Sequence, residues 1–193
     1  LSCGVDWMDE LFKTKVVLAS TDKAVMPINV YGNCKAIAEK LVLNESRINA
    51  VVRYGNVLNS RGSILELLEF KRKAKEDFEL THSDMTRFWI PIEEVASYII
   101  DVAFDTYASG LNIPPLKAAR VVDLISAYNK VFSKDKVRVK LGSMRKGEKL
   151  HEDLCLAREV GNHMNSGTHP RFTEKELITM IKKEFKIKSK SDA

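Results

Sequence analysis

Apolar positions in this chain fall alternately into short β-branched runs and into stripes at helical spacing. Val16-Val17-Leu18-Ala19 follows the polar Lys13-Thr14-Lys15 and stops at Ser20-Thr21-Asp22-Lys23. That pattern predicts a fully buried strand whose C-terminal end opens into a polar loop. Pro27 and Asn29 precede a stretch from Tyr31 to Glu45 in which Ile37, Leu41 and Ala38 mark the apolar face of a helix. A second apolar run, Asn49 to Tyr54, ends in the polar, glycine-bearing segment 55–63. Strand, helix and strand at this spacing predict one βαβ unit with a right-handed crossover. Farther on, the spacing predicts helices over 63–75, 91–106, 119–132 and 173–186, and strands near 78–81, 110–114 and 136–141. In α/β sheets ligands bind outside the carboxyl ends of the strands, so chemistry is expected in 20–35 and 56–63.

Composition narrows the classes. The chain has 193 residues, 45% of them hydrophobic, enough for one sizeable core or two small ones and against disorder or a disulfide-stapled mini-protein. Lys and Arg number 31 against 26 Asp and Glu, a formal charge of +5. That charge is spread along the chain and the aromatic residues do not interleave with it, which argues against a nucleic-acid groove. Cys3, Cys34 and Cys155 form an odd set without a CxxC or metal-ligand spacing, so free thiols in a reducing, cytoplasmic compartment and no metal site are expected. The apolar stretch Val95–Phe104 is broken by Tyr98 and Asp101 and falls far short of the ~20 residues that span a bilayer. No membrane span is expected in this segment. Lys182, Lys183, Lys186, Lys188 and Lys190 crowd the C-terminal end and read as a solvated terminus, with a phosphate-binding tail as the alternative.

Candidate chemistry begins with Tyr31 and Lys35, four apart on a predicted helix and therefore on one face. An ammonium held beside a phenol stabilises the phenolate, which can then accept a proton from a sugar hydroxyl. YxxxK alone is a weak signal, since Tyr and Lys often share a solvated helix face. Its neighbourhood is more specific. The stretch from Ser20-Thr21-Asp22-Lys23 to Tyr31-Gly32-Asn33-Cys34-Lys35 resembles the active-site segment of the extended short-chain dehydrogenase/reductases that act as nucleotide-sugar 4,6-dehydratases. The nearest likeness is to the inverting UDP-N-acetylglucosamine 4,6-dehydratase branch, related to the CapD-like polysaccharide biosynthesis proteins. Three more stretches resemble the same family: Arg53-Tyr54-Gly55-Asn56-Val57-Leu58 with Ser60-Arg61-Gly62-Ser63; His82-Ser83-Asp84-Met85-Thr86-Arg87-Phe88-Trp89-Ile90; and Gly147-Glu148-Lys149-Leu150-His151-Glu152 preceded by Arg145. The sequence departs from the family pattern at Met26, where Asn is usual, at Asn59, where Gly is usual, at Ser83 and Lys146, where Pro is usual, and at Asn33-Cys34, where Ala-Thr is common.

The resemblance implies an α/β fold: the second half of a Rossmann-like, doubly wound parallel sheet, with a smaller C-terminal α/β substrate-binding domain. Residues 1–62 would complete the NAD-binding domain and carry the Tyr-xxx-Lys pair. Residues 63–193 would mainly bind the nucleotide sugar, with about 84–125 partly returning to the Rossmann sheet. It further implies UDP-N-acetylglucosamine or a related UDP-sugar as substrate, tightly held NAD (or NADP) that is reduced and reoxidised within one turnover, and a homo-oligomer. Tyr31, aided by Lys35 and oriented by Thr21, would take the C4 hydroxyl proton. Lys23 would remove the C5 proton and Asp22 would protonate the departing C6 hydroxyl. Alternatively, Lys23 serves both transfers and Asp22 positions it, because a carboxylate and an ammonium side by side favour each other's charged forms.

Ser20, Tyr31, Lys35 and Val57 would contact the cofactor, and Asn56, Arg61, Arg87, Arg145 and Glu148 the substrate, the arginines suiting a diphosphate because a guanidinium forks across two oxygens. Structural alternatives stand beside two of these: Arg87 in a cation–π pair with Phe88 or Trp89, and Glu148 as a helix-start carboxylate. His82, His151, Phe88 and Trp89 are expected to be packing or loop residues. A UDP-sugar 4-epimerase shares Tyr31 and Lys35 and is the neighbouring enzymatic reading. A non-catalytic scaffold or basic binding module is the other.

A Rossmann pyrophosphate site needs a glycine-rich turn opening a helix. None of the nine glycines forms a GxGxxG run, and the chain opens with Leu1-Ser2-Cys3-Gly4, without Met or a signal-peptide pattern. About 100 or more residues are therefore expected to precede it, and the chain alone would leave a sheet edge unpaired, an aggregation hazard. Purified by itself, the 193-residue chain is expected neither to bind NAD tightly nor to turn over. NAD-dependent consumption of UDP-N-acetylglucosamine by the chain alone, followed by chromatography, would contradict this.

Overall fold

The computed structural model describes residues 14–186, so Cys3, Lys188, Lys190 and the opening four residues lie outside the described part. In chain order the elements are β1 (Val17–Ala19), α1 (Val30–Glu45), β2 (Ala50–Val52), β3 (Asn56–Leu58), α2 (Ile64–Ala74), β4 (Phe78–Leu80), β5 (Thr86–Pro91), α3 (Ile92–Phe104), β6 (Gly110–Asn112), β7 (Lys117–Arg120), α4 (Val121–Val131), β8 (Val139–Leu141), β9 (Asp153–Cys155), α5 (Ala157–Val160), β10 (Met164–Asn165) and α6 (Glu174–Glu184). All helices and strands expected from the spacing are present, with ends moved by up to three residues.

Strand β2 is the centre of a three-stranded parallel sheet, with β1 on one side (Val17 opposite Ala50) and β6 on the other (Ala50 opposite Gly110). Helix α3 covers this sheet through Val102, which packs with Ala50 and Val52. A second sheet has the order β3-β5-β7, parallel between β3 and β5 and antiparallel between β5 and β7. Against it α2, α4 and α6 bury Leu65, Leu68, Leu124, Tyr128, Leu177 and Ile181 around Trp89, the larger core of the molecule. Two small ribbons, β4 with β8 and β9 with β10, complete the α/β fold.

Two sequence expectations are corrected. The run Val16–Ala19 is half-buried rather than fully buried, and Val16 is 45% exposed. The cause is topological: among the described residues β1 has a partner strand only at β2. Ile37 and Leu41 do not face the core either; they are 59% and 66% exposed, and α1 buries Gly32 and Glu39 instead. That helix meets the sheet through a polar network rather than an apolar stripe. Strand β5 went unpredicted because Thr86-Arg87 interrupts its apolar run, yet all six of its residues are buried. Phe88 and Trp89 are core residues, as expected. Cys34 and Cys155 are free thiols, the first exposed and the second buried.

Two departures from the family pattern fall where the backbone is left-handed. Met26 has φ 44° and Asn59 φ 58°. Asn and Gly occupy this region at little cost, whereas a residue such as Met pays roughly 1–2 kcal/mol. Met26 is 61% exposed, so its side chain contributes little packing in return.

Elsewhere the helices are tied by charge. The Glu69 carboxylate of α2 accepts hydrogen bonds from Arg72 (2.8 and 2.9 Å) and from the Tyr128 hydroxyl of α4 (2.6 Å). The Arg72 bonds, helped by Tyr128 and Lys73 against partial burial, hold Glu69 down at about 2, below its ordinary 4.5. Its contribution is therefore complete above pH 4.5 and lost as pH falls toward 2.

Met26→Asn is expected to raise stability by about 0.5–1 kcal/mol, seen as a higher urea midpoint at unchanged m-value. Glu69→Gln is expected to cost about 1 kcal/mol at neutral pH. It should also flatten the loss of stability between pH 4.5 and 2 in urea unfolding repeated across that range.

Candidate active site

The site is built at the C-terminal end of β1. There the chain turns through one 3₁₀ turn, Asp22–Ala24, capped by Thr21, whose hydroxyl oxygen accepts from the Lys23 N–H (3.3 Å) and donates to Asp22 Oδ1 (3.0 Å). The Asp22 amide donates to the Tyr54 carbonyl (2.9 Å), which fixes the turn over the end of β2. Asp22 is fully buried. Its Oδ1 takes the Lys23 ammonium at 2.9 Å, while Oδ2 is buried with no hydrogen-bond partner. An unpaired carboxylate oxygen in the interior is costly unless something else occupies its lone pairs.

Helix α1 starts against this turn. Asn29 caps it by accepting from Gly32 N–H (2.9 Å), and its side-chain amide donates to the Gly147 carbonyl (3.3 Å). Gly32 is required there: a Cβ would lie 2.3 Å from the Lys23 carbonyl oxygen. The small residue after Tyr31 is thus what lets the helix sit on the Asp22-Lys23 turn. Tyr31, in the first turn of α1, is 54% exposed. Lys35, one turn later, donates to the Ala19 carbonyl at 3.0 Å, pinning α1 to the end of β1. The Tyr31 phenol is close enough to Tyr54 to add, after burial, to the upward shift of the Tyr54 hydroxyl.

A charged network lies behind this surface. Arg53, at the end of β2 and 4% exposed, forks onto Glu39 of α1 (Nε–Oε1 3.0 Å, Nη2–Oε2 2.6 Å) and onto Glu159 of α5 (3.1 and 3.0 Å). It also donates to the Leu154 carbonyl (3.1 Å). Burial opposes its charge, but the hydrogen bonds to Glu39 and Glu159 outweigh that and raise its pKa above the ordinary arginine value. Ser20 donates its hydroxyl to Glu39. The hydroxyl expected to face a cofactor is therefore committed to this network.

The third motif arrives from the other side. Glu152 is 4% exposed and has three cations around it: Lys149 at 3.8 Å, Arg87 at 3.9 Å and Lys23 at 4.0 Å. Its Oε2 is buried without a hydrogen-bond partner. Burial, then the Asp22 carboxylate, push its pKa up, against the pull of the three cations. Arg87 is itself buried and donates to the Thr86 (2.7 Å) and Leu150 (3.2 Å) carbonyls. Lys149 donates to the Val25 carbonyl (2.7 Å). Lys23, Ile28, Asn29, Gly147, Lys149 and Glu152 line one small cleft.

Of the residues singled out from sequence, Thr21, Asp22 and Lys23 bond to one another in the turn after β1 and Lys35 pins α1 to the end of that strand, while Tyr31 stands exposed in the first turn of α1 and neither it nor Lys35 lines the small cleft beside Lys23. Arg61 and Arg145 are exposed and form no ion pair among the described residues. Glu148 accepts from the Arg145 backbone N–H (3.0 Å) in a loop rather than at a helix start. Asn56 and Val57 lie half-buried on β3, with Asn56 Oδ1 buried and unpaired. His82 and His151 serve as loop residues, His82 accepting from the Asp84 N–H and His151 bonded to the Thr86 hydroxyl. Sequence reasoning assigned no role to Glu39, Arg53, Glu152 or Glu159. For Glu39 the one local signal is its spacing, four residues beyond Lys35 on the Tyr31/Lys35 face; its burial is seen only in the structure.

For a nicotinamide dinucleotide the donor set fits at one end. Lys35 and Tyr31 stand at the β1 end, and the unpaired Asn56 Oδ1 is a spare acceptor at the start of β3, in the second sheet. The pyrophosphate cradle has no counterpart in this sequence, which holds no glycine-rich turn. Among the described residues no group of His, Cys, Asp and Glu could hold a metal ion, and no helix is long and apolar enough to cross a membrane.

Comparison with known proteins shows the family and the fold. A UDP-glucose 4-epimerase of Rickettsia bellii is 33% identical over 165 residues, 81% of this chain and 48% of that protein. The inverting UDP-N-acetylglucosamine 4,6-dehydratase of Campylobacter jejuni is 31% identical over 178 residues, 84% of this chain and 51% of that one. The chain thus spans about half the length of these curated relatives. Among solved structures, a dTDP-glucose 4,6-dehydratase of Streptomyces venezuelae with NAD bound superposes at TM-score 0.68 and 16% identity, covering 89% of this chain and 60% of that one, a likeness of fold. The family model described as polysaccharide biosynthesis protein matches residues 7–174. With its Rossmann-like parallel sheet and its Tyr-xxx-Lys helix, the chain belongs to the polysaccharide biosynthesis protein family, within the extended short-chain dehydrogenase/reductases.

Proposed function

We propose that this chain carries the proton-transfer and substrate-binding part of an NAD-dependent nucleotide-sugar dehydratase acting on UDP-N-acetylglucosamine, with elimination of water across C5–C6 and inversion at C5. The observation that carries the reading is the Thr21-Asp22-Lys23 turn: a buried carboxyl and an ammonium 2.9 Å apart, beside the first turn of the Tyr31 helix. An epimerase moves one proton on and off the C4 oxygen and has no use for a further acid and base.

In this reading Tyr31 takes the C4 hydroxyl proton, and Lys35 keeps the helix and the positive charge at the β1 end. NAD, when bound, supplies the hydride acceptor and donor. A ketone at C4 acidifies the C5 proton, which Lys23 removes as the neutral amine while Asp22 protonates the departing C6 hydroxyl. Inversion follows when the C5 proton returns on the opposite face. Arg61 and Arg145 suit the diphosphate, Glu148 the ribose, and Asn56, with its unpaired Oδ1, accepts from a sugar hydroxyl. Arg87 acts from behind, through Glu152. Residues 1–62 belong with the dinucleotide half and 63–193 mainly with the sugar nucleotide, with about 84–125 partly returning to the first sheet, a reading supported by the packing of α3 and the pairing of β6 with β2. The same reading places the protein in the cytoplasm as a homo-oligomer.

A UDP-sugar 4-epimerase is the second reading, favoured by the Rickettsia bellii relative. Product analysis separates the two. The whole protein containing this sequence, given NAD and UDP-N-acetylglucosamine, is expected to release a 4-keto-6-deoxy sugar lighter by one water. Tyr31→Phe should lower kcat by about 10²–10⁴-fold, and Asp22→Asn should abolish loss of water. An isomer of unchanged mass would establish the epimerase instead.

A further inference from the structure

Lys23 stands between two carboxylates, and only one of them belongs to its own turn. Asp22 Oδ1 lies at 2.9 Å from the ammonium; Glu152 Oε1, delivered by the loop before β9, lies at 4.0 Å across the small cleft. Each carboxylate has one buried oxygen with no hydrogen-bond partner, Asp22 Oδ2 and Glu152 Oε2. Both residues are more than nine-tenths buried, whereas the Lys23 side chain is 30% exposed and so has room to move. Glu152 is not saturated by its other neighbours. Lys149 and Arg87 approach no nearer than 3.8 and 3.9 Å, and both spend hydrogen bonds on carbonyls, Lys149 on Val25 and Arg87 on Thr86 and Leu150.

This arrangement answers a difficulty in the proton transfers. A carboxylate and an ammonium in contact favour each other's charged forms, whereas an acid must carry its proton and a base must lack one. Release of Lys23 into water would leave Asp22 buried and unpaired, which is costly. A second acceptor within reach keeps the lysine in the cleft, close to both carboxylates, instead of releasing it to water.

We infer that Glu152 is a positioning residue: its carboxylate is a second seat for the Lys23 side chain, so that the lysine can leave Asp22 without leaving the site. The inference rests on the reading of Asp22 and Lys23 as the proton-transfer pair. In the Glu152 seat a proton passes from the ammonium to the carboxylate: one N–H bond breaks, one O–H bond forms, and neutral amine faces neutral carboxylic acid. Asp22, relieved of its counter-ion and still buried, takes up one proton from solvent at Oδ2 as the lysine swings aside, an O–H bond of hydronium breaking as the carboxyl O–H forms, so that the three groups gain one proton in all. The charges facing Glu152 are Asp22 and Lys23 from the turn after β1, Arg87 from β5 and Lys149 from its own loop. Burial and Asp22 both favour the protonated form of Glu152, the direction this exchange needs.

The test is the titration of Lys23 in isotope-labelled protein, followed by NMR at its side-chain nitrogen. Glu152→Gln keeps the shape and removes the charge. The Lys23 midpoint is expected to fall by about 0.5–1 pH unit, a three- to tenfold loss of proton affinity, and contacts between Lys23 and Asp22 should strengthen. Glu152→Asp, which keeps the charge, should restore part of the shift. A purely structural Glu152 would perturb amides around β9 and β10 and leave the Lys23 midpoint where it was; that result overturns the inference. A measurement without substitution covers the case of a variant that does not fold: the wild-type Glu152 carboxyl carbon should register the Lys23 titration as a second inflection, and its absence is equally fatal. Product mass reads the reaction and the titration reads Glu152, so an isomer of unchanged mass overturns the dehydratase, and an unmoved Lys23 overturns the second seat.

Discussion

Arg53 leaves the end of β2 inside the protein, where an unpaired guanidinium would be several kcal/mol unstable, and it persists because Glu39 and Glu159 fork onto it from two sides. Those partners come from α1 and α5, and Glu39 also takes the Ser20 hydroxyl at the end of β1. One side chain therefore couples the strand that delivers Asp22 and Lys23, the helix that delivers Tyr31 and Lys35, and the segment that follows Glu152. A hydrophobic contact there would have held these pieces together without fixing their register. The forked hydrogen bonds fix it, since a shift of a fraction of an ångström breaks one of them.

The same constraint explains why α1 has the wrong-looking face inside. Helices of surface sheets usually bury an apolar stripe. Here the buried positions are Gly32, which admits the Lys23 carbonyl, and Glu39, which holds Arg53, while Ile37 and Leu41 face outward. Packing energy is concentrated elsewhere, in the larger core beneath α2, α4 and α6. The molecule thus separates stability from chemistry: an apolar core carries the second sheet, and a polar scaffold carries the site.

Charge at the site is arranged in shells. Asp22 and Glu152 are interior carboxylates with Lys23 between them, and Arg87 and Lys149 stand behind Glu152. Arg61 and Arg145 are exposed. Interior groups set protonation, because low dielectric magnifies each neighbour. Exposed groups set attraction.

Much of this was legible in the residues alone. β-branched runs against helical stripes gave the order of strands and helices, since alternation and 3.6-residue periodicity are local properties. Tyr31 and Lys35 four apart, and Thr21-Asp22-Lys23 after an apolar run, were legible for the same reason: their relation is fixed by a single turn of backbone. Strand β5 was not, because Thr86 and Arg87 look like loop residues until the Leu150 carbonyl is seen to satisfy the guanidinium. Nor was the outward turn of Ile37 and Leu41, nor the half-burial of β1, which depend on which neighbours a face has. Glu39, Arg53, Glu152 and Glu159 lie far apart in sequence, up to 120 positions between Glu39 and Glu159. Only folding brings such charges within reach of one another, because the field at a buried group is set by distance through space and not by distance along the chain.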